Sequence, residues 1–162
     1  MLRFQYLQLI PIVTAISHES YITLAALGTL VVTGHKTIET RSWQTTYRGR
    51  ILIHASKSKA GIIFCDKYPF TKYINNFSGL PFGAIIGEAA VTDIVKIPDC
   101  NYSDYFLNEL SIEEKAFGDY TEGRFAWLFT DCKQFLKPIM MRGSLSIWEC
   151  PLEIFNPDFK EM

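Results

Sequence analysis

An apolar run ends at a glycine, and the tight alternation of charged and β-branched residues after it predicts a β-strand at 37–43, joined by a short loop to a second strand at 50–54. In the first strand, one face would carry Thr37, Glu39, Arg41 and Trp43. Lys36 stands just before this row, after a glycine that ends an apolar run. A strand that only had to pack would not need a carboxylate, a guanidinium and an indole on one face. We therefore expect the chemistry of the protein here.

The rest of the pattern predicts a mixture of strands and short helices. Residues 22–32 are apolar with leucines at helical spacing, which predicts a helix that stops at Gly34. Further strands are predicted at 13–17, 84–94, 125–129 and 139–148. Helical stretches are predicted at 105–110 and 112–117. No repeat or linker interrupts the pattern, so one domain is expected.

The composition is that of a folded domain, and the charged residues are distributed unevenly along the chain. The 162 residues are 48% hydrophobic with a net charge of −1, which excludes a disordered chain and a strong overall positive field. Residues 36–59 hold six basic residues against one acid, whereas residues 99–122 hold seven acids against one base. The basic segment coincides with the row of polar residues, and the acidic segment is a candidate contact surface for a protein partner.

The spacing of the cysteines and the hydropathy of the chain argue against a metal-binding or redox protein and against a membrane protein. The four cysteines are widely spaced and form no C-x-x-C pair, so we predict neither a metal site nor a redox motif. No cofactor is predicted. The apolar stretches are too interrupted for a membrane span, and Pro11 breaks a faintly signal-like N-terminus. We expect a cytoplasmic protein.

The segment Gly34-x-Lys36-x-x-Glu39-x-Arg41 resembles the signature of the ASCH domain family, part of the PUA-like superfamily. Blocks at 47–57, 80–89, 117–127 and 138–148 resemble the same family in the same order. The resemblance implies an α+β fold, a PUA-like small mixed β-barrel of about six strands with two or three flanking helices. It assigns 13–152 to the domain, 1–12 to an extension and 153–162 to a tail. The family's usual proline turn is missing at 18–21.

Residue types and resemblance together predict a ligand site on the basic segment. The predicted RNA- or ligand-binding residues are Lys36, Glu39, Arg41, Trp43, Tyr47, Arg48, Glu88 and Arg124. Aromatic faces stack on unpaired bases while arginine and lysine hold phosphates. Three of these residues also have a structural interpretation: Lys36 with Glu39 as an ion pair, and Arg41 bonded to loop carbonyls or to Glu39. Glu88, in apolar company, is expected to pair with Arg41 or Arg124 at the rim.

Three functions remain open from the sequence. The resemblance implies binding of single-stranded RNA or a nucleoside-type ligand. It also implies hydrolase alternatives, since relatives include ribonucleases and an amidohydrolase of N4-acetylcytidine that uses a lysine, a threonine and a glutamate. Lys36 matches that lysine, while Glu39 stands where the threonine would be. For a ribonuclease, Lys36, Glu39 and Tyr47 are the predicted catalytic residues. The third function is a non-catalytic adaptor that binds protein through segment 99–122.

Overall fold

The structure, a computed structural model of the chain, describes residues 18–98 and 108–151. Six strands are described: β1 His18–Thr23, β2 Ile38–Arg41, β3 Gly49–Ala55, β4 Ala84–Lys96, β5 Phe125–Met140 and β6 Ile147–Cys150. The helices are short: α1 Ala25–Val32, α2 Ile62–Cys65, α3 Phe70–Tyr73, a 3-10 turn Phe77–Gly79 and α4 Ile112–Ala116. The predicted α+β fold with about six strands is confirmed.

All six strands form one mixed sheet in the order β2-β5-β4-β3-β1-β6. Strands β1 and β3 run parallel, and every other neighbouring pair is antiparallel. Four gaps of about 4.8 Å, about 19 Å in total, would separate β2 from β1 in a flat sheet. The Tyr21 hydroxyl on β1 nevertheless lies 2.5 Å from Glu39 Oε1 on β2. The sheet therefore curls until these two strands face each other, which gives it a barrel-like shape.

The hydrophobic core fills the inside of this curled sheet. Trp127 of β5, Tyr21 of β1 and Ile53 of β3 are among the largest fully buried side chains. Helix α1 packs its Val32 against the sheet at Gly87, where an added Cβ would lie 2.2 Å from a β5 carbonyl and 2.6 Å from Val32. Only glycine permits that approach, so α1 is held close to β4 and β5.

Several element boundaries differ from the sequence prediction. Residues 18–21, which replace the family's usual proline turn, belong to β1, and the helix begins at Ala25 rather than at 22. Pairing of β1 with both β3 and β6 explains the difference, because two ladders of hydrogen bonds outweigh local helix propensity. Strand β5 continues to Met140, and β6 starts only at Ile147, after Ser146 with a φ of 65°.

Some predictions fall outside the described residues. The strand predicted at 13–17, the extension 1–12 and the tail 153–162 lie there, as do residues 105–107 of one predicted helix. Within the described ranges, no helix is both long enough and apolar enough to cross a membrane.

Candidate functional site

A cleft of about 600 Å³ opens where β1, β2 and the residues around α4 meet. Its polar lining consists of Thr23, Glu39, Thr40, Arg41, Ser56, Asp119 and Arg124. Its apolar lining includes Leu24, Leu27, Phe64, Phe70 and Phe117. The cleft thus combines two guanidinium groups and two carboxyl groups with an apolar wall that includes three phenylalanines.

Glu39 and Arg41 reach the cleft because they alternate on the short strand β2. Arg41 Nε lies 3.3 Å from Glu39 Oε1, and its Nη2 donates to the Ile22 carbonyl at 2.9 Å and to the Tyr21 hydroxyl. The Tyr21 hydroxyl in turn donates to Glu39 Oε1. These contacts tie β2 to β1 across the mouth of the curled sheet, and they fix both side chains in the cleft wall.

Lys36 lies behind this wall rather than in it. Gly34 has a φ of 74°, which lets the chain turn at the end of α1 and direct Lys36 inward. The Lys36 side chain is 0% exposed, and its ammonium lies 3.8 Å from Glu39 Oε2 while it donates to the Ile38 carbonyl. The predicted ion pair of Lys36 with Glu39 is therefore present. Since Lys36 does not line the cleft, its role in this geometry is to hold Glu39.

A second carboxylate, Glu114 of α4, contacts the same ammonium at 3.5 Å. Glu114 also accepts hydrogen bonds from the Thr37 backbone at 2.8 Å and from the Tyr120 hydroxyl at 3.2 Å. The residue is 7% exposed, so it cannot contribute to the acidic protein-contact surface predicted for 99–122. Sequence analysis missed this role, although the capping pattern from Ser111 to Glu114 marks the start of α4. We call Tyr21, Lys36, Glu39, Arg41 and Glu114 the buried polar cluster.

Burial shifts the protonation equilibria of this cluster. Burial raises the pKa of Glu39 above its usual value, and the opposing charge of Lys36 does not cancel the shift. Burial, together with the charge of Arg124, lowers the pKa of Arg41 to about 10. Arg41 therefore remains charged at neutral pH, whereas Glu39 takes up a proton more readily than an exposed glutamate would.

Arg124, directly before β5, is the second cation of the cleft. Its Nη2 donates to the Thr40 carbonyl at 3.1 Å, and its Nη1 lies 3.4 Å from Asp119 Oδ2. The Thr40 hydroxyl accepts a hydrogen bond from the Asp119 backbone at 3.0 Å. These contacts hold the segment after α4 against β2, and they place Arg124 beside Arg41. The structure thus brings the predicted residues Glu39, Arg41 and Arg124 together.

The two predicted aromatic residues lie elsewhere. Trp43 packs edge-on against the buried Trp127, with ring centroids 4.8 Å apart. Tyr47 donates its hydroxyl to the Arg50 carbonyl, and burial raises the pKa of that hydroxyl. Neither residue lines the cleft, whose aromatic surface comes instead from the phenylalanines of α2, α3 and the end of α4.

The remaining predicted residues form a separate group on the outside of the sheet. Arg48 pairs with Asp93 at 2.9 Å, and Glu88 pairs with Arg50, which also pairs with Asp131. The prediction that Glu88 pairs with Arg41 or Arg124 was wrong. Strand β3 lies directly beside β4, and this places Arg50 next to Glu88. We call Arg48, Arg50, Glu88, Asp93 and Asp131 the outer charged face.

Potential metal ligands do not cluster in the described part of the chain. No group of three or more histidine, cysteine, aspartate or glutamate residues with metal-binding geometry occurs there. Cys65, Cys132 and Cys150 are buried and free, while Cys100 lies outside the described residues. Burial raises the pKa of the Cys132 thiol to about 11, which makes it a poor nucleophile at neutral pH.

The curled six-stranded sheet with a cleft at its open edge defines a PUA-like α+β protein. The chain belongs to the ASCH domain family, whose sequence model matches residues 23–139. The crystal structure of ASCH from Zymomonas mobilis matches with a TM-score of 0.53 and 20% identity over 85% of this chain and 90% of that chain. A mutant of the same protein matches with a TM-score of 0.55 and 19% identity, over 85% and 92% of the two chains. The comparison with curated proteins found no match.

Proposed function

We propose that the protein binds RNA, or another ligand that contains a nucleobase, in the cleft lined by Glu39, Arg41 and Arg124. The observation that carries this proposal is the combination of two guanidinium groups with an apolar wall that includes three phenylalanines in one cavity. Its volume of about 600 Å³ falls within the ordinary range for small-molecule sites.

The apolar wall suits a flat, weakly polar ring. Phe64, Phe70 and Phe117 lie on one side of the cleft together with two leucines of the α1 region. Phe70 and Phe117 already pack edge-to-face, with centroids 5.0 Å apart. Stacking of a base on such aromatic surfaces stabilises binding without demanding one particular base.

The polar lining of the cleft suits the phosphate of a nucleotide and the hydrogen-bonding edge of its base. Arginine presents a planar fork of donors that matches phosphate oxygens, and Arg41 and Arg124 are only partly paired with carboxylates. Glu39 would contact the hydrogen-bonding edge of the base. It accepts a base N–H when ionised, and it donates when protonated, a form favoured by its raised pKa.

The test is a binding titration of the four ribonucleoside 5′-monophosphates, their nucleosides and a short single-stranded RNA. We expect Arg124→Ala to weaken nucleotide and RNA binding by about tenfold, and to lower the salt slope for RNA by about 0.7 for one lost phosphate contact. Nucleosides should bind the variant and the wild type similarly, because they carry no phosphate.

Arg48→Ala is the matched control. It also removes one arginine paired with a surface aspartate, but Arg48 belongs to the outer charged face and does not line the cleft. Circular dichroism of both variants checks that they fold. Equal affinity of wild type and Arg124→Ala for every ligand would refute the proposal, and equal losses in both variants would indicate general electrostatic attraction instead.

A hydrolase is the second candidate, favoured by the raised pKa of Glu39 in the cleft wall. A carboxyl group with a raised pKa is better suited to general acid–base catalysis than an exposed glutamate. Cleavage of a short RNA and deacetylation of N4-acetylcytidine would both be assayed. Activity that is lost in Glu39→Gln, while ligand binding persists, would support catalysis. Equal traces of activity in both proteins would point to a contaminant.

A further inference from the structure

A second cavity, of about 420 Å³, adjoins the cleft. It is lined by Ile22, His54, Lys57, Met141, Arg142 and Gly143. Three of these six residues are basic, and none is acidic. Ile22 lines both cavities, and Ser56 of the cleft directly precedes Lys57 of the second cavity. A ligand that leaves the cleft past Ile22 would therefore enter a basic pocket.

The two flexible cations of this pocket are available to a ligand. Within residues 18–98 and 108–151, neither Lys57 nor Arg142 forms an ion pair, in contrast to Arg48 and Arg124. The aliphatic chain of Lys57 lies against Gly83, where an added Cβ would be 2.8 Å from Lys57 Cγ and Cε. That contact holds the lysine stem beside the pocket, which reduces the entropy lost when its ammonium binds an anion.

His54 supplies a buried polar atom on the same pocket wall. The residue is 1% exposed, and its Nε2 lies 3.1 Å from the Met141 carbonyl, so Nε2 is the donor. Nδ1 has no hydrogen-bond partner among the described residues, and it faces Gly143, where an added Cβ would lie 2.8 Å away. In the neutral ring Nδ1 is an acceptor, which suits a hydroxyl group next to a bound phosphate.

We propose that this second cavity binds the phosphate and ribose of a nucleotide adjacent to the one in the cleft. Lys57 and Arg142 hold the phosphate, and His54 Nδ1 accepts a hydrogen bond from a ribose hydroxyl. The ligand is then a ribonucleotide strand of two or more units rather than a mononucleotide. This inference rests on the proposed binding of a nucleotide in the cleft.

The experiment compares the best-bound ribonucleoside monophosphate with the matching dinucleotide that carries a phosphate at both ends. We expect wild type to bind the dinucleotide at least about tenfold more tightly, since an additional phosphate contact is made. Lys57→Ala and Arg142→Ala should reduce dinucleotide affinity towards that of the mononucleotide. The deoxyribose dinucleotide should bind wild type more weakly than the ribose form, which tests the hydroxyl contact without altering His54.

Lys59→Ala is the matched control, because this exposed lysine carries the same charge two residues away and lines neither cavity. Mononucleotide binding without a gain for the dinucleotide would overturn the inference and leave the proposed function standing. So would a gain that survives in Lys57→Ala and Arg142→Ala, or one lost equally in Lys59→Ala. Equal affinity for the two sugars would overturn the ribose contact. Failure of both ligands to bind would overturn the proposed function, and the inference with it.

Discussion

The buried polar cluster and the outer charged face contain the same kinds of side chain in very different surroundings. Lys36 and Glu39 are 0% and 5% exposed, while Arg48 and Asp93 have side chains 40% and 59% exposed. Charges removed from water are costly unless their partners are in place, whereas exposed pairs are already solvated. We therefore expect substitutions in the cluster to affect stability and binding strongly, and those on the outer face to affect them little.

The topology of the sheet explains why the two groups separated. Strands β2 and β3 follow each other in sequence, yet β5 and β4 lie between them in the sheet. The loop after β2 therefore carries Tyr47 and Arg48 away from Glu39 and Arg41. Nearness along the chain therefore does not bring these two residues to the cleft.

Lys36→Met should have the largest effect on stability. The change leaves the carboxylates of Glu39 and Glu114 buried without their shared cation, and breaking a buried pair in this way costs about 3–5 kcal/mol. Urea denaturation would measure the loss. The matched control is Lys72→Met, which removes an exposed lysine from Glu113 and should leave the unfolding midpoint nearly unchanged. Similar losses in both variants would remove the distinction between cluster and surface.

Tyr21→Phe should have the next largest effect. Its hydroxyl joins Glu39 to Arg41, and removing a buried hydrogen bond to a charged group costs about 1.5–3 kcal/mol. Tyr47→Phe also deletes a single hydroxyl, but that group bonds an exposed carbonyl, so about 0.5 kcal/mol is expected. Thermal denaturation of the pair would compare them. Equal losses would mean that the Tyr21 contact does not hold β1 to β2.

Local pattern predicted the strands better than it predicted the site. Alternation correctly placed Glu39 and Arg41 on one face of β2, because that face is read from neighbouring residues alone. It extended the same phase to Trp43, but β2 ends at Arg41, so the alternation no longer determines where the indole lies. The indole packs on Trp127 instead.

The missing members of the cluster depend on tertiary structure. Tyr21 meets Glu39 only because the sheet curls, and Glu114 is 78 residues from Lys36 in sequence. No residue spacing records either contact. The start of α4 has a capping pattern, but that pattern does not show that the Glu114 side chain turns inward. A single sequence therefore predicts three of the five members of the cluster, Lys36, Glu39 and Arg41, which are close together along the chain.

Glu39→Gln should change how stability depends on pH. Because burial raises the folded-state pKa of Glu39, the associated stability is complete below its ordinary value of 4.5 and is lost as the pH rises through the folded value. The stability of wild type relative to Glu39→Gln should therefore fall as the pH is raised above about 4.5. Denaturation at several pH values would measure this trend, and a relative stability that rises with pH would contradict it.

Asp93→Asn, on the outer charged face, should change the pH dependence of stability in the opposite direction. A hydrogen bond from the Ile94 backbone and then the contact with Arg48 lower the pKa of Asp93. The contribution of Asp93 to stability is thus present above its ordinary pKa and is lost as the pH falls through its pKa in the folded state. The two variants should show opposite trends in the same buffers, so a shared trend would indicate a change in the unfolded state instead.

The smallest effect is expected for the Arg48–Asp93 pair, measured by a double-mutant cycle with Arg48→Ala and Asp93→Ala. Both side chains are well exposed, so their attraction is weakened by water and screened by added salt. The coupling should be small at low salt and should disappear at high salt. A parallel cycle with Lys36→Met and Glu114→Gln should give a larger coupling that persists at high salt, because salt screens buried pairs much less. If the Arg48–Asp93 coupling resisted salt, this pair would contribute to the stability of the fold as the buried pairs do. The exclusion of the outer charged face from the site should then be reconsidered.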